Sequence, residues 1–174
     1  MIWIKQKNGP TAPGDSELKM NNENDYDYKL VVLGGPKSQG RHRTYTKDKN
    51  GKPLKYPLQV DPSKYDKRSL RIVVQDKAPE KPLDCPLELK LVFCFPYRKG
   101  DYGTGRNAGI LKSSAPKYHT VKPDVDNLIK LIFDALNGIF WRDDTIICKL
   151  ESEKRYDLRP RTEIYIKEVK EQKQ

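Results

Sequence analysis

Residues 122–144 read KPDVDNLIKLIFDALNGIFWRDD, from Lys122 to Asp144. Val125, Leu128, Ile129, Leu131, Ile132, Phe133, Ala135 and Leu136 make the run apolar around most of a helical circumference. The spacing therefore predicts a central core helix over about residues 124–137. Gly138 stops it in the manner of a C-terminal cap. Asp124 and Asp126 open the helix, Lys130 lies one turn beyond Asp126, and Asp143 and Asp144 return after the aromatic pair Phe140–Trp141. Acidic groups are favourable in a first turn, so Asp124 and Asp126 have a structural explanation available. Asp126, Lys130 and Asp134 share one stripe, and such i,i+4 ion pairs are worth about 0.2–0.5 kcal/mol each. The second acidic pair is not explained that way. Carboxylates converging from two elements repel one another unless a cation lies between them, and hard divalent cations take oxygen ligands.

Outward from this core the elements are shorter. Leu30–Leu33 (LVVL) reads as a buried strand closed by a turn at Gly34-Gly35-Pro36. A long basic loop is expected over residues 37–60. Asp61-Pro62 then offers a cap and a first-turn proline, with Tyr65, Ser69, Ile72 and Val73 on one face of a helix to about Asp76, although Leu70–Val74 (LRIVV) also has strand character. Leu87, Leu89, Leu91, Phe93 and Phe95 alternate with Glu88, Lys90, Val92 and Cys94, a period of two that predicts a strand. A second loop runs to Pro123, and strands are expected at Thr145–Leu150 and Thr162–Ile166. The order strand, helix, strand, helix, strand, strand gives a small α+β domain: a mixed sheet with a core helix carrying the acidic motif.

Charge indicates the partner. The chain has 174 residues and a formal net charge of +10. Residues 1–28 carry three lysines against five acids, a net −2, so the remainder carries +12. Residues 37–55 hold Lys37, Arg41, Arg43, Lys47, Lys49, Lys52 and Lys55 against Asp48 alone. Residues 97–122 hold Arg98, Lys99, Arg106, Lys112, Lys117 and Lys122 against Asp101 alone. Basic loops interleaved with tyrosines suit a phosphate backbone, where Lys and Arg gain affinity by releasing counterions. The plain alternative is a solvated lysine-rich surface. No stretch approaches the run of about 20 apolar residues that spans a bilayer, and the N-terminus does not read as a signal peptide. Three widely spaced cysteines, Cys85, Cys94 and Cys148, argue against a disulfide framework or zinc cage and fit a reducing cytoplasm. GGPKSQG lacks the terminal GK[ST] of a P-loop, and no Ser-His-Asp or Cys-His arrangement is present. His42 and His119 lie in the basic loops as backbone or phosphate contacts.

The pattern P-D-V-D-N-L-x-K-x-x-x-D-A-L-N-G, followed by an aromatic residue and D-D, resembles the RusA family of Holliday junction resolvases, common in prophages. GGPKSQGRHR at residues 34–43 is similar to that family's G-x-P-x-x-x-x-R-x-R signature, and Lys154-Arg155-Tyr156 to the stretch after its acidic pair. The resemblance covers roughly residues 30–168. It implies a homodimer with a small mixed fold, each subunit nicking one of two opposed strands of a four-way DNA junction. It also implies that Asp124, Asp126 and Asp144 bind Mg²⁺ and that Lys130 is the catalytic lysine.

The expected organisation is a flexible acidic extension at 1–28, a nuclease domain at 29–168 and a frayed tail at 169–174. Lys37, Arg41, Arg43, Lys112, Lys117, Lys122 and Lys154 are the expected DNA contacts. Asp143 is a candidate alternative ligand, and Asp134 a candidate to orient Lys130. Two other readings stand beside this one: a less selective flap or fork nuclease with the same centre, and a non-catalytic branched-DNA-binding module whose acids are only caps and ion pairs.

Overall fold

The computed structural model describes residues 25–170. The apolar MIWI start, most of the acidic lead-in and the last four residues lie outside the described residues. Eight elements follow in order: β1 (Tyr28–Leu33), β2 (Arg43–Lys47), β3 (Pro53–Val60), α1 (Lys64–Val74), β4 (Leu87–Pro96), α2 (Val125–Leu136), β5 (Ile147–Asp157) and β6 (Arg161–Glu168). Four strands form one sheet in the order β1-β6-β4-β5, with β4 and β5 parallel and the other pairings antiparallel. The architecture is the expected mixed α+β domain.

Period two in β4 sends Leu87, Leu89, Leu91 and Phe93 to one face, all with no measurable exposure. Onto that face pack Leu128, Ile132, Ala135 and Leu136 of α2 and Leu70 and Val74 of α1, in one cluster with Phe140 and Trp141. Strand β4 is central, so its other face is also closed over Val92 and Cys94. Tyr26 and Asp27 help there, since the Tyr26 ring packs tilted against Tyr165 at 5.3 Å and Asp27 accepts the Glu168 backbone N–H at 2.7 Å. All three cysteines are free thiols. Among the described residues no helix is long and apolar enough to cross a membrane.

Three readings of the sequence are corrected. LVVL is not a continuously buried strand: β1 is a sheet edge, where Leu30 is buried but Val31 and Leu33 are 37% and 80% exposed. The expected loop at 37–60 is largely a hairpin, β2–β3, turned at Asp48–Lys52 through Gly51 and forming its own two-stranded sheet. Its strands carry hardly any buried residue, so no core periodicity announced them. Helix α1 exists but buries Leu70 and Val74; Tyr65, Ile72 and Val73 face solvent. Its N-cap position is Ser63, two residues later than expected, with Asp61 accepting the Ser63 N–H at 2.8 Å.

The two helices are locked by side chains whose roles periodicity does not reveal. Lys67 Nζ lies 2.5 Å from Asp61 Oδ2 and 3.2 Å from Asp134 Oδ2. Arg71 donates to the carbonyls of Ala135 (2.8 Å) and Asp134 (3.0 Å), satisfying the C-terminal end of α2. Asp134 therefore serves the helix–helix contact instead of orienting Lys130. Replacing Lys67 by Met leaves two carboxylates facing each other, and we expect a loss of about 1–3 kcal/mol in urea unfolding at neutral pH. The hydrogen bond from Lys67, followed by that from the Ser63 N–H, holds the Asp61 carboxyl below the usual range. Stability from such a depressed carboxyl is present above its unfolded value near 4 and lost as pH falls through the folded value. Wild type should therefore lose stability more steeply than Lys67→Met below about pH 4.

Candidate functional site

Helix α2 begins where the chain must turn out of a loop, and polar groups from three elements hold that point. Asp124 occupies the N-cap position with extended backbone (φ −71°, ψ 148°), yet its side chain makes no capping hydrogen bond. Asp126 sits in the first turn, and both acids are exposed. Neither forms an ion pair or side-chain hydrogen bond among the described residues. The structural explanation open to Asp124, capping, is thus not the use the fold makes of it. Lys130 is exposed one turn further on and pairs with neither Asp126 nor Asp134.

The loop before α2, which includes a cis Lys122–Pro123 bond, is tied down by β5. Lys154 Nζ donates to the carbonyls of Val121 (2.8 Å) and Pro123 (2.5 Å). Backbone bonds from His119 N to Lys154 O (3.1 Å) and from Tyr156 N to Lys117 O (2.9 Å) continue the seam. His119 is buried, stacked 3.9 Å from the Phe95 ring, and burial followed by the nearby Lys154 charge pulls its imidazole pKa down. It is a packed neutral ring. Lys154, expected at the DNA, has two of its protons on backbone carbonyls.

From the other side comes the glycine-rich segment after β1. Gln39 N donates to Asn127 O at 2.8 Å, and Gly40 N donates to Ser63 Oγ at 2.7 Å. A Cβ on Gly40 would meet Pro62 Cγ at 2.6 Å, so the close approach to the α1 N-terminus requires glycine. This threading brings Arg41 and Lys122 into a cleft of about 610 Å³ shared with Pro123, Asp124 and Asn127. The roles of Ser63, which accepts through its hydroxyl, and of Asn127, which accepts through its backbone carbonyl, had no signal in the sequence, because both contacts are made across long separations.

Asp144 is not brought to this cleft. Asp143 N-caps the short 3₁₀ turn Asp144–Ile146 by accepting the Thr145 N–H at 3.0 Å, which is the main reason its carboxyl lies below the usual range. That turn lies at the start of β5, where Phe140 O and Arg142 N bond to Leu83 and Arg142 pairs with Asp84 at 2.9 Å. Leu83 and Asp84 lead into the beginning of β4, whereas Lys154 and the α2 N-terminus sit beside its end. The two acidic pairs thus lie at opposite ends of a 12-residue helix, about 18 Å long at about 1.5 Å per residue. Among the described residues no three His, Cys, Asp or Glu side chains come close enough to hold a metal.

Of the expected DNA contacts, only Arg41 and Lys122 line this cleft. Lys37, Arg41 and Arg43 are exposed along the route from β1 into the hairpin. Lys117 lies over the Tyr118 ring at 5.5 Å, and Lys112 donates to Gly100 O at 2.8 Å within its own loop. Tyr45 and Tyr56 stand 44% and 73% exposed on the hairpin.

The α2 N-terminus thus sets two exposed acids beside Arg41 and Lys122 on a small mixed sheet. Residues 34–167 match the family described as "Endodeoxyribonuclease RusA", and the chain belongs to that family of DNA-cleaving enzymes. It is also similar to "Uncharacterized protein YqaN" of Bacillus subtilis (strain 168), with 34% identity over 145 residues, covering 81% of this chain and 96% of that protein. Replacing Lys154 by Met should free the Val121–Pro123 loop without unfolding the core. Hydrogen exchange should then rise at residues 118–124 and remain at wild-type levels in β4 and β6; unchanged exchange at the loop would refute the tether.

Proposed function

We propose that this protein is a Mg²⁺-dependent, structure-selective endodeoxyribonuclease that resolves four-way DNA junctions by paired symmetric nicks, acting as a homodimer in the cytoplasm. The observation that carries this is the α2 N-terminus. It presents two carboxylates, Asp124 and Asp126, unneutralised in a chain of net charge +10, beside Arg41 and Lys122. Uncompensated acids in a strongly cationic protein suit a hard cation and a phosphate ester together.

Asp124 and Asp126 would hold Mg²⁺ through carboxylate oxygens, with Asp144 the third donor that the family pattern implies although it stands at the far end of α2; the ion would supply a Lewis acid and an activated water for phosphodiester hydrolysis. Lys130, exposed and unpaired on the same helix, contacts the scissile phosphate and offsets charge on its oxygens. Lys37, Arg41, Arg43, Lys117 and Lys122 bind the flanking backbone, and Lys112 adds a weaker contact because Gly100 already holds its ammonium. Lys154 acts by holding the loop that carries Asp124. The Asp143 side chain fixes the turn that presents Asp144.

The test is cleavage of a synthetic four-way junction beside linear duplex of the same sequence, with Mg²⁺ or EDTA. Wild type should give symmetric, metal-dependent nicks confined to the junction. Asp126→Asn should lose at least about 100-fold in rate, a loss of the size seen when one transition-state electrostatic contact is removed, while junction binding in EDTA persists or tightens. Metal-independent binding without cutting of any branched substrate would leave a DNA-binding module, and equal cutting of flaps and forks would leave a less selective nuclease.

A further inference from the structure

Buried polar side chains normally find partners, and one that does not requires an explanation. Gln39 is 7% exposed, and among the described residues neither its amide oxygen nor its amide nitrogen has a hydrogen-bond partner. Both atoms are also withheld from solvent, so the group weakens the free chain. Tyr26, His119, Trp141 and Arg155 each leave one such atom, whereas Gln39 leaves both ends of its amide. Its backbone is nonetheless fixed. Gln39 N donates to Asn127 O in the first turn of α2 at 2.8 Å, and Gly40 N donates to Ser63 Oγ at 2.7 Å. The Ser63 hydroxyl reaches back to Ser38 O at 3.5 Å, and the approach of Gly40 to Pro62 leaves no slack. A rigid segment thus carries an unused amide beside the turn that holds Asp126.

The helical period says what else lies on that side of α2. At about 100° per residue, Lys130 stands one turn above the gap between Asp126 and Asn127. Asp134, two turns beyond Asn127, meets Lys67 of α1 at 3.2 Å, so this side of α2 is the one turned toward α1 and the segment 38–40. Helical side chains lean back toward the N-terminus, which carries the Lys130 stem over the turn where Gln39 is bonded. Lys130 and Asp126 are both exposed, and among the described residues neither forms an ion pair. Opposite charges at i,i+4 ordinarily attract each other. Pairing them directly would withdraw both from a phosphate and a cation.

We infer that Gln39 is the positioning residue for Lys130 and Asp126: its Oε1 accepts from Lys130 Nζ and its Nε2 donates to the Asp126 carboxylate when these exposed side chains close onto it. The roles of Lys130 and Asp126 themselves rest on the proposed function. An amide holds a donor and an acceptor at fixed separation, so it serves a cation and an anion together and keeps them from neutralising each other. A carboxylate at position 39 would instead cancel the Lys130 charge that a phosphate requires. Asp134, the other acid on this side of α2, is engaged by Lys67 and cannot take the part. No bond is made or broken at Gln39, which acts through the two groups it holds. Its unpaired state in the free chain is preorganisation, with stability given up where activity needs it.

Full-length Gln39→Met, which keeps the length of the side chain and removes the amide, tests this. In urea unfolding with EDTA the variant should match or exceed wild type, because an apolar group of similar shape replaces an unpaired buried amide. Mn²⁺ binding, read by electron paramagnetic resonance without DNA, should weaken about 10-fold or more, as when a group behind a metal ligand is lost. On a four-way junction with Mg²⁺, kcat should fall about 10- to 100-fold, the loss for one hydrogen bond to a charged group, with KM near the wild-type value. In a Lys130→Met background the same replacement should cost little further, because residues that act as a unit are not additive. Loss of urea stability alongside activity would make Gln39 an ordinary core residue and overturn the inference. Unchanged kcat and Mn²⁺ affinity, or full additivity with Lys130→Met, would overturn it too, and each of these leaves cleavage by wild type standing. Wild type that cuts no junction, or Lys130→Met at full rate, would remove the functional reading and the inference with it.

Discussion

The contact on which the rest depends is the burial of α2 against β4. Leu128, Ile132, Ala135 and Leu136 meet Leu87, Leu89, Leu91 and Phe93 with 3% exposure or less on every side chain. Full burial of such a side chain is worth about 1.5–3 kcal/mol, so this one helix–sheet contact outweighs any single ion pair in the molecule. It also fixes the helix axis relative to the strands. Once that axis is set, the N-terminus of α2 must emerge beside the end of β4 and its C-terminus beside the beginning. The carboxylates at one end and the acidic turn at the other are consequences of that packing.

Polar contacts refine what the apolar contact leaves free. Rotation and sliding of α2 are limited at the C-terminal end by Arg71 and Lys67 of α1. At the N-terminal end the limits come from Lys154 and the Gln39–Asn127 backbone bond. These groups leave Asp124, Asp126 and Lys130 unengaged. Nearly every other acid close to α2 has a structural partner: Asp61 and Asp134 hold Lys67, and Asp143 holds a backbone amide. Against that background the idle pair stands apart, in a chain that belongs to the RusA endodeoxyribonuclease family.

The hairpin β2–β3 and the free edge of β5 share a physical character, since both are extended backbone with little buried side chain. A two-stranded ribbon is marginal by itself in water, and here its root is clamped at Gly40 to the α1 N-terminus. Its cations and exposed tyrosines extend the basic surface outward from the cleft. The β5 edge carries alternating charges that pair with β4, Lys149 with Glu88 and Glu151 with Lys90.

Sequence alone determined the elements whose apolar residues repeat with a clear period: β4, α2 and the α+β class that follows from their order. It also singled out Asp124 and Asp126 as candidates, because acids opening an otherwise apolar helix are conspicuous, and Lys130 because it lies one turn further on. It misplaced the buried face of α1, took β1 for an interior strand and read the hairpin as a loop. In each case the deciding factor was which neighbour covers the segment, and periodicity carries no record of neighbours. Lys154 illustrates the same limit, since a lysine that donates to two carbonyls is indistinguishable in sequence from one that awaits a phosphate. Only the tertiary structure decided that Asp144 stands at the far end of α2. The spacing of residues along a chain bounds how far apart two groups can lie, and the direction of a packed helix decides whether they meet.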